Sequence, residues 1–394
     1  MPKRLLSLDV LRGLTIAGMI IVNDPGSWSS VYAPLLHAEW HGITPTDFVF
    51  PFFLFMVGVS IVLAYTRRIQ ENAPKGQMVR KIFTRSLIIY ALGMFLWIFP
   101  GFDFSIDAIR FTGVLHRIAV VFLACALLFL YSDWKRQAWA GGILLVGYWL
   151  AMTLIPVPVD EVIRQALATG EVTRSGGPVP VSGLIPLGDR FIAANLEQGT
   201  NLQAWIDRLL LPGRMWEVTW DPEGILSTLP AIATGISGML AGRLILMEMP
   251  VERKMTWLFT AGFLTFTLGN FWGFFFEINK NLWTSSYVLY TSGLAMMTLA
   301  AIYWLVDVQG YTRWTLPFVV FGTNAIVAYV LAGVLISLLF IPESTGGFNA
   351  VFMNGLTGLG LSARFASMLW AFLYTTLIFG LVYILYRRKI FVRI

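Results

Sequence analysis

Apolar residues gather in ten runs, near 5–23, 46–66, 82–100, 112–131, 136–155, 225–245, 255–277, 284–307, 315–340 and 363–386. A run of about twenty such residues is long enough to cross a hydrocarbon layer of ~30 Å as a helix. Short charged breaks separate the runs, among them Arg67-Arg68, Lys135-Arg136, Glu252-Arg253-Lys254 and Arg387-Arg388-Lys389. The pattern predicts an all-α fold: a polytopic transmembrane helical bundle of about ten spans, forming a single domain over 1–394. One break differs in kind. Residues 156–222 form a long insertion between spans five and six, rich in Pro and Gly at first (Pro156, Pro158, Gly176-Gly177-Pro178, Pro180), with a short helix expected near 200–211. A loop of this length and content is expected to be ordered over the outer mouth of the bundle. Five spans precede it and five follow, without a recognisable sequence repeat.

Composition agrees. The chain is 57% hydrophobic and 13% charged, with a mean hydropathy of +0.71, whereas a soluble domain carries about 25% charged residues. The net charge of +6 is spread in small clusters between apolar runs, which is a topology signal and not a nucleic-acid footprint. On the side of the two termini stand eighteen Lys and Arg, against three (Arg110, Lys280, Arg364) in the short loops of the other side. Both termini are therefore expected in the cytoplasm. The first run carries Asp9 and Arg12 and ends in Val22-Asn23-Asp24-Pro25, with no small-x-small cleavage pattern, so it is read as a retained helix. The lone Cys125 excludes an intrachain disulfide and a cysteine metal cage. The absence of Asn-x-Ser/Thr suits a prokaryotic membrane protein.

Polar groups inside spans are expensive, and each needs an account. Asp9 and Arg12 share a helix face; they form either a structural ion pair or a site where Arg12 meets an anionic ligand from the cytoplasm. The stretch after the first span holds Asn23, His37, Trp40, His41 and Asp47 and no Lys or Arg, at the outer face by the charge count. A neutral imidazole accepts a proton near neutral pH, Asp47 is placed to orient one, and Asn23 is placed to donate to an oxyanion. His37 and His41 are four apart, a metal-ligand spacing on a helix, but His-Ala-Glu-Trp-His sets its glutamate differently from the zinc-protease pattern, and no metal is expected. Structural histidines bonded to loop carbonyls are the bland alternative. Arg110 and Arg117 bracket the start of span four, with Arg117 expected about two turns into the membrane. Asp221-Pro222-Glu223 reads as a cap for span six. Asn279-Lys280-Asn281-Leu282-Trp283 reads either as an interfacial anchor or as part of a site. Asn324 lies mid-span and needs a partner. The many glycines are read as close helix packing.

In order, Ser7-Leu-Asp9-Val-Leu-Arg12-Gly13, His37-Ala-x-Trp40, Asp47-x-Val-Phe-Pro51, Arg110-x-x-Gly113-Val-Leu-x-Arg117, Trp220-Asp-Pro-Glu-Gly224 and Asn279-Lys-Asn-Leu-Trp283 resemble the heparan-α-glucosaminide N-acetyltransferase family of transmembrane acetyltransferases over nearly the whole chain. The resemblance implies transfer of an acetyl group from cytosolic acetyl-CoA to the amine of a glucosamine on the periplasmic side, no nucleic acid, membrane lipid around the bundle, and a homodimer. It places the active-site histidine on His37 and the family asparagine on Asn23, though with a longer spacing between them. The position after the motif tryptophan is usually Asn in the family and is His41 here, a change bearing on substrate choice. The large N-terminal luminal region of the animal members is expected to be missing. On this reading His37, Asn23 and Asp47 carry catalysis. Trp40, His41, Glu223, Asn279, Lys280, Asn281 and Trp283 meet the sugar, and Arg12, Arg110 and Arg117 meet the anionic co-substrate acetyl-CoA. The competing reading is an amino-sugar permease, which needs the same polar cavity but no nucleophile.

Overall fold

The computed structural model describes residues 5–341 and 346–392; the counted Lys3, Arg4 and Arg393 lie outside them. Among the described residues the chain forms α1 (Leu6–Asn23), α2 (Val49–Gln70), α3 (Lys75–Ile98), α4 (Val114–Tyr131), α5 (Trp134–Leu154), α6 (Glu161–Thr169), α7 (Leu202–Leu210), α8 (Thr228–Leu246), α9 (Val251–Trp272), α10 (Ser285–Tyr303), α11 (Leu316–Thr323), α12 (Ala325–Leu339), α13 (Gly347–Gly358) and α14 (Ala363–Arg387). This is an all-α, polytopic membrane architecture. Eight of the helices are long and apolar enough to cross a membrane: α1 to α5, α8, α10 and α14. The bent pair α11 and α12 makes a ninth if counted as one span. The remaining expected span falls on α9, whose 22 residues suffice in length but whose first turn carries Glu252, Arg253 and Lys254.

Two boundaries differ from the hydropathy pattern for a physical reason. Helix α3 begins at Lys75, well before the expected 82, so Arg80 and Lys81 stand on the same helix as Arg85 instead of in a loop. Their long apolar stems let charged heads reach a polar space from a helical backbone. The expected span over 315–340 is broken at Asn324 by a bend of 87°. The break satisfies Asn324: its Nδ2 donates to the Ile390 carbonyl at 3.1 Å, and its Oδ1 accepts from the Val392 N–H at 3.0 Å. The partner that this residue needs is thus the tail after α14.

Burial sorts the bundle into an inner and an outer ring. The apolar window of α2 is 67% buried, that of α3 only 22%. Side chains such as Phe83 and Leu87 on α3 and Trp139 and Ile143 on α5 point outward, as expected of lipid-facing surface. Helix α2 packs along α8, and α1 along α11. Both crossings are closer than side chains would allow. A Cβ on Gly58 would stand 1.9 Å from the Gly235 carbonyl oxygen, and one on Gly238 1.9 Å from that of Phe55. The start of α1 lacks a side-chain cap of its own. Asp307 supplies it from the π-helical turn Trp304–Val308, accepting from the Leu6 and Ser7 N–H groups at 2.9 Å each; a carboxylate there also complements the helix dipole.

The 156–222 insertion is folded. Its expected helix is α7, capped by Asn201. The sequence pattern did not foretell α6 or the two-residue strands β1 (Val157–Pro158), β2 (Glu171–Val172), β3 (Val179–Pro180), β4 (Pro186–Leu187) and β5 (Phe191–Ile192). The strands pair antiparallel in the orders β1-β5-β4 and β2-β3. Val157, Ile163, Ile192, Leu202 and Trp220 of the insertion share a small core with Tyr148, Met152, Phe276 and Leu282 and with Trp40 from the loop between α1 and α2.

Candidate functional site

The second half of the loop between α1 and α2 is fixed in place by packing and hydrogen bonds. Trp40 is buried edge-on against Trp220 at 5.7 Å, and its Nε1 donates to the Leu196 carbonyl at 2.9 Å. Gly42 N–H donates to the Ile278 carbonyl at 2.8 Å, tying this loop to the one before α10. A short 3₁₀ turn, Pro45–Phe48, leads into α2. Asp47 in that turn accepts from the Thr44 N–H at 2.8 Å and the Thr44 hydroxyl at 3.1 Å, and Tyr287 Oη donates to its carbonyl at 2.6 Å.

These constraints aim the Asp47 carboxylate at His37. Oδ1 lies 2.6 Å from His37 Nδ1, and Oδ2 accepts from the Ala38 N–H at 3.2 Å. An anionic carboxylate only accepts, so Nδ1 carries the ring proton and Nε2 presents its lone pair. Lys280 Nζ stands 3.1 Å from that Nε2. Burial and the Lys280 cation lower the His37 pKa below its ordinary 6.5, outweighing Asp47 and Glu223, which act in the opposite direction. Burial likewise lowers the Lys280 pKa; Glu223 and Asp47 oppose this, and Arg117 and Arg110 add to it. Histidine and lysine thus both gain in uncharged form, which is what proton exchange near neutral pH requires.

Beside this pair lies a buried charge network. Arg110 donates from Nε and Nη2 to both Asp221 oxygens at 2.7 and 2.6 Å, and from Nη2 to Glu223 Oε2 at 2.6 Å. The capping role expected of Asp221 is therefore corrected. Helix α8 begins at Thr228, after Ser227, and Asp221 instead neutralises Arg110 while accepting from the Glu223 and Trp216 N–H groups. A buried guanidinium without an anion would cost several kcal/mol, and that demand outranks a cap. Arg117 lies in the first turn of α4, nearer its end than the two turns expected. Its Nη2 donates to Ser227 Oγ at 2.5 Å and to the Gly224 carbonyl at 3.3 Å, and its guanidinium stacks 5.0 Å from the Trp283 ring. Among the described residues, its Nε and Nη1 have no hydrogen-bond partner. Trp283 is fully buried, so the interfacial-anchor alternative does not hold. Its φ of +51° is left-handed, a strain sustained by Thr234, Phe50 and Tyr287 packed around the ring.

The other expected residues spread around this centre. His41 pairs with Glu277 at 3.0 Å. It shares no helix with His37, because both lie in irregular loop. Asn279 is buried, caps Leu282 through Oδ1 at 2.9 Å and leaves Nδ2 unpartnered among the described residues. The Asn281 carbonyl accepts from Gln203 at 3.2 Å. Asn23 ends α1 with its side chain exposed and, among the described residues, makes no hydrogen bond to His37 or Asp47. Next to it, burial raises the Asp24 carboxyl to about 7.

At the opposite end of α2 a cavity of about 1140 Å³ opens between α1, α2, α3, α4 and the α11–α12 bend. Arg12 lines it, held by Ser60 Oγ at 2.7 Å, the Gly322 carbonyl at 3.2 Å and Asp9 at 3.5 Å. Arg110 and Arg117, expected beside the same ligand, do not line it. In their place it gathers Arg68, Arg80, Lys81 and Arg85, which the charge pattern along the chain marks only as topology signals. A signal for them was present: Gln77, Arg80, Lys81, Thr84, Arg85 and Ile88 recur at helical spacing and mark one face of α3. The inner part of the cavity is cationic, and its far part is apolar, lined by Met19, Phe53, Leu115 and Ile118. At 1.5 Å per residue, Phe53 stands ~9 Å along α2 from Asp47 and Arg68 ~31 Å from it, about one hydrocarbon thickness.

Comparison with known proteins supplies the context for this pairing. Residues 4–167 match the model of the family described as heparan-alpha-glucosaminide N-acetyltransferase, catalytic. The chain is 31% identical over 375 residues to the Homo sapiens heparan-alpha-glucosaminide N-acetyltransferase, covering 84% of this chain and 53% of that protein. Against the Mus musculus protein of the same name the identity is 29% over 373 residues, or 83% and 53%. The chain thus spans about half the length of the curated relatives it matches. The family-model match takes in the His37–Asp47 segment, and the similarity to the two acetyltransferases extends over more than four fifths of the chain, so the chain is similar to the heparan-alpha-glucosaminide N-acetyltransferase family.

Proposed function

We propose that this protein is an acetyl-CoA-dependent N-acetyltransferase of a bacterial inner membrane, moving acetyl from cytosolic acetyl-CoA to the amine of a glucosamine-type sugar on the periplasmic side. The observation that carries the reading is the disposition along α2: an Asp-oriented imidazole at one end and a cation-lined cavity with an apolar far part at the other. Arg12, Arg68, Arg80, Lys81 and Arg85 suit the phosphates of a nucleotide donor, and the apolar part suits its arm.

At the outer end, His37 Nε2 takes the proton of the sugar amine as that amine attacks the thioester carbonyl. The C–N bond forms, the C–S bond breaks, and the proton leaves with the CoA thiolate. In the covalent variant Nε2 attacks the thioester carbonyl, the C–S bond breaks and CoA leaves as thiolate; the sugar amine then attacks the acetyl-imidazolium, its C–N bond forms as the C–Nε2 bond breaks, and the amine proton passes to the freed Nε2. Asn23 is assigned the carbonyl oxygen on family grounds. Glu223, His41 and Asn279 Nδ2, which is unpartnered among the described residues, are assigned to the acceptor, while the buried Trp40 and Trp283 shape its pocket and present no free ring face.

The test is thiol release by the purified protein on adding glucosamine to acetyl-CoA, with His37→Ala beside it. Release that disappears in the variant supports the assignment. Full activity in His37→Ala overturns the catalytic histidine, and no release with any amino sugar favours the permease. Labelled acetyl-CoA alone separates the two chemical routes, because only the covalent one traps acetyl-histidine.

A further inference from the structure

The Lys280 side chain is a primary amine set where the reaction needs one. Any acceptor amine must come within hydrogen-bonding reach of His37 Nε2 to hand over its proton. Lys280 Nζ already stands there at 3.1 Å, on the lone pair that the Asp47 contact leaves open. It is not a loose surface lysine. The turn that carries it is fixed by Asn279 capping Leu282, by Thr284 accepting from the Asn279 N–H at 3.1 Å, and by the fully buried Trp283. The Gly42–Ile278 bond ties that turn to the histidine loop.

We infer that Lys280 is an internal acceptor, acetylated by the protein's own active site when no sugar amine is present. The inference rests on the acetyl-transfer reading above. The uncharged Nζ attacks the thioester carbonyl of acetyl-CoA, its C–N bond forms as the C–S bond breaks, and one Nζ proton passes through His37 Nε2 to the departing thiolate. Burial favours the uncharged amine; the charged groups around it are Glu223 and Asp47, which favour the ammonium, and Arg110 and Arg117, which disfavour it. The product is a neutral amide whose N–H still covers Nε2. The modified protein is therefore blocked until the amide is removed, and a sugar that fills the site first displaces Lys280 and protects it. The arrangement makes the active site its own sensor of acceptor supply.

The experiment uses the purified full chain with deuterated acetyl-CoA and no sugar, an acid quench and peptide mass spectrometry. Expected is an acid- and hydroxylamine-stable label on Lys280 that grows with time, falls at least tenfold in His37→Ala, is absent in Lys280→Arg and is suppressed by glucosamine. Label on exposed lysines such as Lys75 and Lys135 should be equal in wild type and His37→Ala, which calibrates uncatalysed acetylation. If the wild type releases CoA with glucosamine while Lys280 stays unlabelled, or if Lys280 labels equally in His37→Ala, the inference is overturned and acetyl transfer to sugar stands. If neither sugar turnover nor label at Lys280 occurs, both fall together. Label at Lys280 without turnover of any tested sugar supports the inference and shows that the tested sugars are the wrong acceptors.

Discussion

Replacing Asp47 by Asn tests the site with almost no change of shape. The carboxylate accepts four hydrogen bonds: one from His37 Nδ1 at 2.6 Å on Oδ1, and three on Oδ2, from the Ala38 N–H, the Thr44 N–H and the Thr44 hydroxyl. An asparagine has one acceptor oxygen and one donor NH₂. Three donors compete for the oxygen on the Oδ2 side, so the amide oxygen settles there and the NH₂ faces the ring. Nδ1 must then accept, which moves the ring proton to Nε2 and removes the lone pair that the reaction uses. A positioned general base is worth roughly 10²–10⁴ in rate, or ~2.7–5.5 kcal/mol of barrier. Asp47→Asn should thus lower kcat by about 10³ while leaving KM for acetyl-CoA nearly unchanged, since the cavity cations stand up to ~31 Å away along α2. Thiol release by purified protein in lipid nanodiscs measures both, and an unshifted thermal midpoint confirms an intact fold. A variant within threefold of wild type in kcat would refute the argument, because it would mean that the tautomer of His37 does not matter.

Three further outcomes follow from the geometry. Because burial and Lys280 both disfavour the His37 imidazolium, the acidic limb of kcat/KM should lie below pH 6.5, and Lys280→Gln, which removes one of the two causes, should move it upward; an unmoved limb would separate Lys280 from the titrating group. Burial raises the Asp207 carboxyl from 3.8 to about 7, so the folded protein keeps a proton that the unfolded chain has lost: this stability is fully present below pH ~4 and lost as pH rises through about 7, and Asp207→Asn, which keeps an acceptor for the Ile225 N–H, should raise the thermal midpoint at pH 8 more than at pH 5. Charge-assisted bonds contribute ~1.5–3 kcal/mol each, so Arg80→Gln with Lys81→Gln should raise KM for acetyl-CoA by tenfold or more with little change in kcat, and an unchanged KM would remove the cavity as the donor site.

The parts of this molecule that were legible from sequence are those governed by local rules. Lipid forces long uncharged runs, so the spans announce themselves. His37 and Asp47 sit ten residues apart in one loop, and their meeting was foreseeable from that loop alone. What escaped notice depends on distant partners. Nothing near Asp221 in sequence reveals Arg110, which lies 111 residues away and makes a natural capping residue into a counter-ion. Trp283 looks like an interfacial anchor until Arg117, Phe50 and Tyr287 close around it. The early start of α3 was hidden because its first turns are basic, and hydropathy scores such turns as loop although they line a cation-rich cavity. Asn324 was recognised as needing a partner, but that partner is a tail 66 residues away, and the bend that brings the two together leaves no compositional mark.

The glycine contacts between α2 and α8 set a length standard. With Gly58 and Gly238 allowing backbone to touch backbone, the two helices form a pillar that can neither stretch nor slide without collision. Asp47, in the turn that leads into α2, and the cavity cation Arg68, in the last turn of α2, stand at opposite ends of this pillar. The interval between them belongs to the protein, so the donor must supply the reach. A thioester whose arm is shortened between phosphate and sulfur would still anchor on the cations yet stop short of His37, and one that is lengthened would have to buckle. The pillar is a ruler, and it selects donors by length before any chemistry at the acyl group is consulted.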